Sequence, residues 1–461
     1  MSDSGGSFDL VILGGGSGGY ACALRAAELG KSVALIEKDK LGGTCLHYGC
    51  IPTKALLHAA ELADNARESE QFGIKMSLDG IDMPGVNGYK DGVVARLYKG
   101  LQGLVKSRKI TYVEGSGRLV SPTAVDVDGA RYEGEHVVLA TGSVPKSLPG
   151  LDIDGDRVIS SNHVLVRDTV PNSVVILGGG VIGVEFASVW RSFGAGVTIV
   201  EALPHLLPLE DENSAKLLER SFRRRGIGYE LGARFSGVEY TDNGVRVSLE
   251  SGKQIEADLL LVAVGRGPVS EGLGYAEAGV GLERGFVKVD EYCQTAVPTI
   301  SAIGDLIPTP QLAHVGFAEG IMVAERLAGQ RVVPIDYAGV PRVTYSHPEV
   351  ASVGLTEAQA KQKLGDDKIT TATYDLAGNG KSQILKTTGA VKLVAQKDGP
   401  VLGAHMVGDR VGELIAETQL IYNWEALPGE VAQLIHPHPT QSEAVGEAHL
   451  ALAGKPLHSH S

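Results

Sequence analysis

Cys45 and Cys50 stand in the run Gly42-Gly43-Thr44-Cys45-Leu46-His47-Tyr48-Gly49-Cys50-Ile51-Pro52-Thr53-Lys54. The chain has only two other cysteines, Cys22 and Cys293, which excludes a disulfide-stapled scaffold. A close pair in so cysteine-poor a chain is either two buried thiols or a dithiol that cycles with its disulfide, and the surroundings favour the cycle. Two glycines let backbone lie close to a planar cofactor. Pro52 suits the first turn of a helix starting near Cys50, and that helix's dipole would stabilise a Cys50 thiolate, making it a good electron donor. Cys22 sits on an apolar helical stretch and is expected in the core. Cys293 has no visible partner and is expected as an unpaired thiol.

A second constellation lies near the C-terminus: His436-Pro437-His438-Pro439-Thr440-Gln441-Ser442-Glu443. A histidine titrating near neutral pH can take a proton from a dithiol and return it, and a carboxylate can fix its tautomer. The residues alone leave other readings open. Thr440-x-x-Glu443 is also a capping box for a helix begun at Thr440, and an exposed His-x-His could hold a stray metal ion or do nothing.

The elements that must position these groups are legible as a repeat. Residues 8–13 form an apolar run ahead of Gly14-Gly15-Gly16-Ser17-Gly18-Gly19; an alanine-rich helical stretch then reaches Gly30, and a strand covers 32–37. Residues 173–177 lead likewise into Gly178-Gly179-Gly180-Val181-Ile182-Gly183, a helix to Phe193 and a strand over 197–201. Both units fit G-x-G-x-x-G, and both close on a glutamate at the same offset, Glu37 and Glu201. The first glycine makes the turn, the second admits a pyrophosphate and the third packs helix on strand. The helix N-terminus faces the phosphates, and the acid accepts from a ribose diol. One such match could be a ligand-free turn; two in register point to two dinucleotide sites.

Residues 202–208, just after Glu201, hold no Arg or Lys, so a 2′-phosphate would meet a carboxylate with no cation beside it; NAD is expected over NADP. Nicotinamide accepts hydride, whereas a disulfide exchanges electrons as thiolates, so a flavin must couple the two. That places FAD beside the cysteines at the first fingerprint and NAD at the second.

Composition agrees with this reading. Glycine supplies 61 of 461 residues, about twice the usual share of ~7 %. With 43 % hydrophobic and 21 % charged residues the chain reads as soluble and globular. A net charge of -13 argues against nucleic acid or an anionic membrane as partner. No apolar stretch approaches the ~18 residues of a membrane span, and the polar start is not expected to be a secretion signal. Residues 137–142 and 259–265 read as the last strands of nucleotide domains, each ending in a turn, while 154–157 and 268–273 read as crossings between domains. From about Val340 no fingerprint recurs. Strand-like runs at 391–396 and 401–407 precede a helix over 412–422, which makes a third, α+β domain. The tail after Gly454 is expected to fray, with His458 and His460 as ornament rather than metal ligands; no metal site is expected.

The double fingerprint, Gly-Gly-Thr-Cys-x4-Cys-x-Pro-x-Lys and the His-Pro-His-Pro-Thr-Gln-Ser-Glu ending together resemble the pyridine nucleotide–disulfide oxidoreductases, over about residues 8–454. The resemblance implies an α/β fold with two Rossmann-like dinucleotide-binding domains, for FAD and NAD, plus a C-terminal α+β dimerisation domain. In these terms 1–150 and 276–340 hold FAD, 151–275 holds NAD and 341–461 forms the interface of a homodimer. It assigns Gly14, Gly16, Gly19 and Glu37 to the ADP part of FAD, and Gly43, Thr44, Gly117, Thr141, Gly142, Ser143 and Asp305 to the rest of it. Gln311, Leu312, Ala313 and His314 would lie near the isoalloxazine and ribityl, and Lys54 at the flavin, paired with Glu185. Gly178, Gly180, Val181, Ile182, Gly183, Glu185, Glu201 and Gly265 would bind NAD. Cys45 would meet the substrate, Cys50 would face the flavin, and His438 would be the base, oriented by Glu443.

Within the family, the resemblance is nearest to members that oxidise dihydrolipoyl groups as the flavoprotein component of 2-oxoacid dehydrogenase complexes. It implies lipoyl domains and the acyltransferase core as partners, and a cytoplasmic location. A glutathione-reductase-like enzyme is the alternative, but it would ordinarily take NADPH, against Glu201. A scaffold subunit would have no need of Cys45, Cys50 and His438. A C-terminus without cysteine argues against mercuric reductase and the larger thioredoxin reductases. Two departures stand out. His47-Tyr48 replaces the family's more usual Asn-Val, which could alter the electrostatics at the disulfide, and Val269 follows Pro268 where a polar residue is frequent.

Overall fold

The computed structural model describes residues 5–458, which form two compact units. The first comprises the stretch ending at Ala55, Pro84–Lys146 and Gly265–Tyr337; the second comprises Leu56–Met83, Ser147–Val264 and the chain from Ala338 onward.

The first unit is built on a parallel sheet in the order Thr111–Glu114, Val33–Glu37, Ser7–Leu13, Ala130–Leu139, Ile300–Ala302. Its central strands bury nearly every residue, as the apolar runs at 10–13 and 33–36 require of parallel strands covered on both faces. Ala130–Leu139 serves twice. Its start makes an antiparallel hairpin with Ala124–Val127, and its end pairs with the nucleotide sheet. Residues 137–139 are therefore not the last strand, as expected; Ile300–Ala302 lies beyond them, delivered by chain that returns after the second fingerprint. Three residues are too few to show a period in sequence.

The second unit repeats the pattern with Ile227–Glu230, Gly196–Val200, Ser173–Leu177, Leu259–Val262 and Val158–Ser160, all parallel. Here Leu259–Val262 is internal and Val158–Ser160 takes the edge. The α+β domain expected from 340 is an antiparallel sheet in the order Arg342–Thr344, Glu349–Gly354, Val401–Gly408, Ala390–Gln396, Ile369–Asp375. Helices Val411–Asn423 and Glu443–Leu452 cover one of its faces, burying Ala351, Val353, Leu393 and Met406 against Ile415 and Val445. The architecture is thus α/β, two Rossmann-like dinucleotide folds with an α+β domain. Among the described residues no helix is long and apolar enough to cross a membrane.

The tail is not frayed where described. Lys455 N–H bonds the Leu450 carbonyl at 2.9 Å, and His458 bonds Glu447 through both its backbone N–H (3.0 Å) and its ring Nδ1 (2.8 Å). His460 lies outside the described residues. No group of three or more metal-ligating side chains occurs among the described residues.

Candidate active site

The two fingerprints fold alike, for reasons visible atom by atom. Gly14 and Gly178 have φ of +111° and +110°, and a Cβ there would lie 2.2 Å from the Ala140 carbonyl oxygen and 2.4 Å from that of Ala263. At the third glycine, Gly19 or Gly183, a Cβ would lie 1.8 or 1.9 Å from the carbonyl oxygen of the first. The middle glycines differ. Gly16 and Gly180 have ordinary φ (-69° and -74°), and nothing lies within 4 Å of a Cβ built on either. The fold itself does not demand glycine there, and the open space leaves room for a ligand to approach the backbone.

Helices Ser17–Glu28 and Val181–Phe193 begin at these glycines without a side-chain cap and without an acid in the first turn, leaving N–H groups for an anion. Glu37 accepts Gly15 N–H at 2.7 Å and Asp39 N–H at 2.9 Å; Glu201 accepts Gly179 N–H at 2.6 Å and Leu203 N–H at 2.8 Å. Each carboxylate is oriented by two amides and keeps lone pairs for a ribose diol. Both cradles therefore fit a dinucleotide. In the loop after Glu201, His205 Nδ1 pairs with Glu219 at 3.1 Å.

In the first unit the redox segment sits directly on the first fingerprint. Gly43 (φ +56°) starts the short helix Gly43–His47, and a Cβ on it would lie 2.7 Å from Gly16 Cα. Cys50 opens helix Cys50–Glu68 with Pro52 in its first turn, as expected. Both cysteines are free thiols here, hydrogen-bonded to each other. That bond and burial raise the Cys45 pKa, while the Lys54 charge opposes them. Tyr20, unnoticed in the sequence, lies close by: burial first, then the charges of Cys45 and Cys50, push its phenol up to about 12. The unusual His47 and Tyr48 are engaged by partners other than the thiols. His47 Nε2 donates to the Leu41 carbonyl (2.9 Å) with its ring edge-on to Tyr98, and Tyr48 Oη donates to Asp39 (2.7 Å), fastening the redox helix to the preceding turn.

Ser143 and Asp305, far apart in sequence, meet: Ser143 Oγ donates to Asp305. Between them lies Arg266, which sequence reading passed over. Its guanidinium donates to Ser143 Oγ (2.8 Å), the Ser143 carbonyl (2.6 Å) and Thr44 Oγ1 (3.3 Å), and stands 3.9 Å from Asp305. Burial lowers its pKa, while the charges of Asp305 and Cys50 support it. The only sequence signal was an arginine alone between glycines after an apolar strand. Thr141 Oγ1 donates to the Val269 carbonyl at 2.6 Å. Gly117 is explained by packing, since a Cβ would lie 2.5 Å from Leu13 Cδ1. Gln311 and His314 are exposed at the uncapped start of helix Ala313–Leu327, flanking Leu312 and Ala313.

Glu319 was also missed. It is fully buried and accepts Gly304 N–H (2.6 Å), Thr309 Oγ1 (2.8 Å) and Tyr337 Oη (2.9 Å), so it braces the turn that carries Asp305. Cys293 is a free, buried thiol, as expected from sequence, and it is hydrogen-bonded with Tyr337.

The second unit holds the other fingerprint and the C-terminal histidines. Glu185 is buried and accepts Tyr345 N–H at 3.0 Å. His438 Nδ1 pairs with Glu443 Oε1 at 2.8 Å, and the other carboxylate oxygen accepts Thr440 N–H at 2.8 Å. The capping-box reading is corrected in part: the helix starts at Glu443, not Thr440, although the carboxylate reaches back to the Thr440 amide. That amide and His438 hold the Glu443 pKa down against burial. His436 is a paired residue too, with Glu417 at 2.7 Å, but its side chain is only 12 % exposed against 75 % for His438.

The chain matches the family model "Pyridine nucleotide-disulphide oxidoreductase" over residues 8–320 and that family's dimerisation domain over 340–449. It is 42 % identical to a dihydrolipoyl dehydrogenase of Bacillus subtilis, covering 98 % of this chain and 99 % of the relative, and 40 % identical to a mitochondrial dihydrolipoyl dehydrogenase of Pisum sativum, covering 98 % and 92 %. A leghemoglobin reductase of Glycine max is also 40 % identical, over 98 % and 88 %. Among solved structures, LpdA of Mycobacterium tuberculosis is similar with a TM-score of 0.89 at 28 % identity, covering 96 % and 99 %. The likeness runs through both dinucleotide folds and the α+β domain, and the chain belongs to the pyridine nucleotide–disulphide oxidoreductases.

Proposed function

We propose that the protein is a dihydrolipoamide dehydrogenase, oxidising protein-bound dihydrolipoyl groups with reduction of NAD. The observation that carries this is the cysteine pair seated on one dinucleotide cradle, in a chain whose second cradle ends in an amide-held carboxylate. When bound, FAD supplies a two-electron acceptor beside the cysteines and NAD supplies the hydride acceptor. Gly14, Gly16, Gly19 and Glu37 hold the first; Gly178, Gly180, Gly183 and Glu201 hold the second.

The chain's own work is thiol chemistry. His438, held by Glu443, takes the proton of one dihydrolipoyl thiol. The resulting thiolate attacks Cys45 Sγ of the disulfide, and the Cys45–Cys50 bond breaks with its electron pair on Cys50. The second substrate thiol then displaces Cys45 and closes the lipoyl ring; its proton and the one held on His438 balance the two cysteine thiolates released. Two electrons remain on the chain as the Cys45/Cys50 dithiol.

Within this reading 1–150 and 276–340 serve FAD, 151–275 NAD and 341–461 the interface of a two-fold homodimer. Exposed apolar groups of this domain support the dimer: Ile435, three residues before His438, is 98 % and Trp424 76 % exposed on the single chain. Lipoyl domains and the acyltransferase core of 2-oxoacid dehydrogenase complexes are the partners. A pair that must return to thiols in each cycle suits the reducing cytoplasm. Steady-state rates test the proposal. Dihydrolipoamide with NAD should turn over at least a hundredfold faster than glutathione disulfide with NADPH, and the reverse order would overturn it.

A further inference from the structure

The face of the interface sheet turned away from its helices carries a polar row. Arg342 lies opposite Ser352, Ser352 opposite His405, and His405 opposite Lys392, across four adjacent strands. Cross-strand neighbours share a face. Ser352, His405 and Lys392 are buried there. Against the row stand two consecutive acids from the second nucleotide fold, Glu210 and Asp211. Lys392 Nζ lies 2.8 Å from Asp211 Oδ1 and 2.7 Å from Glu357 Oε2; Arg342 Nε lies 3.2 Å from Glu210. Asp211 also accepts Glu357 N–H (3.1 Å) and caps the following helix through Asn213 N–H (3.0 Å).

These acids end the loop that begins at Glu201. The loop's near end is pinned to the second fingerprint, Leu203 N–H on Glu201 at 2.8 Å and Leu207 N–H on the Gly179 carbonyl at 2.9 Å. Its middle is held by Leu206 N–H on Glu219 at 3.1 Å. Its far end is tied back locally by Glu210 N–H on the Leu207 carbonyl at 2.9 Å and by the Asp211 cap, and is joined to the α+β domain by Lys392, Arg342 and the Glu357 amide.

A buried ion pair is a poor source of stability, because desolvation offsets most of its attraction; what it gives is direction and distance. An apolar contact at 210–211 would tolerate sliding, whereas an Asp211 carboxylate held by Lys392 and two amides does not. We propose that Lys392, assisted by Arg342, is a positioning residue for the dinucleotide site: it fixes the far end of the loop whose near end orients Glu201, so the interface sheet sets the affinity for NAD. This rests on the reading of Glu201 as the ribose acid.

Calorimetric titration of the oxidised, FAD-loaded protein with NAD tests it. Lys392→Met should weaken NAD binding about tenfold and lower Tm, with the KM for dihydrolipoamide within twofold of the parent; Lys392→Arg should restore both. Lys392→Met with Asp211→Asn removes both charges but keeps the cap. It should recover Tm, since no lone charge stays buried, yet still bind NAD weakly. Recovery of NAD affinity together with Tm would make Lys392 merely structural and overturn the proposal. Should Lys392→Met not fold, Arg342→Met carries the same test at about threefold, and no change in its NAD affinity would count against the clamp. Glu201→Ala is the separate control: unchanged NAD binding there would sink the dinucleotide reading itself, whatever Lys392 does.

Discussion

Replacing the second and third glycines of the NAD fingerprint separates a ligand's demand from a fold's. Gly180 has φ -74° and open space where a Cβ would stand, so Gly180→Ala fits the backbone without contact or strain. Its Tm should match the parent's. If a pyrophosphate is drawn against that backbone, the methyl intrudes on it, and NAD should bind about tenfold more weakly, a loss of about 1.4 kcal/mol. Gly183→Ala behaves oppositely. Its Cβ would start 1.9 Å from the Gly178 carbonyl oxygen, and since a carbon–oxygen contact needs about 3.3 Å, strand turn and helix must part by about 1.4 Å. Overpacking of that size costs about 2–3 kcal/mol, or about 5–10 °C of Tm in a domain of this size. Differential scanning calorimetry and NAD titration on the FAD-loaded protein read both effects. A Gly180→Ala protein that binds NAD like the parent would refute the approach of the dinucleotide at this turn. One that loses Tm would refute the reading of Gly180 as unconstrained by the fold.

Further outcomes follow from other parts of the molecule. Glu201→Ala should cut the preference for NAD over NADP, read as the ratio of kcat/KM values, by at least tenfold, and equal use of both by the parent would contradict the role of Glu201. Co-expressed Cys45→Ser and His438→Ala chains, isolated as mixed dimers, should regain about half the native activity if each site draws on both chains, because one site then carries both lesions and the other none; a folded, flavin-loaded but inactive mixed dimer would exclude sharing. His136 and His449 are buried, and burial depresses both to about 4. Below the unfolded value of about 6.5 the unfolded chain binds more protons, so stability should fall as pH drops from about 6.5 to about 4. Urea unfolding across that window should show the slope, reduced in His136→Gln and His449→Gln, and a slope unchanged in both variants would contradict their neutral burial.

Sequence alone determined what is local and periodic. The strand–glycine–helix–acid units and the helix opened by Cys50 depend on residues within about thirty positions of each other, and spacing along one strand, turn or helix fixes their geometry; the pairing of His438 with Glu443 came only from the family resemblance, since the residues alone left a helix cap equally open. Even the division of labour among the three glycines was readable, because a tight turn imposes the same sterics wherever it occurs. What the tertiary structure alone decided joins distant stretches. Arg266 meets Thr44, Ser143 and Asp305 only because the chain returns to the first sheet after making the second. Ile300–Ala302 completes that sheet with three residues that carry no pattern of their own. Cys293 found Tyr337 and Glu319 found Gly304 through burial, which makes polar groups seek partners that sequence distance does not reveal. Lys392 reads in sequence as one more cation on a strand; only packing against Asp211 removes it from water and turns an ordinary charge into a directional tie.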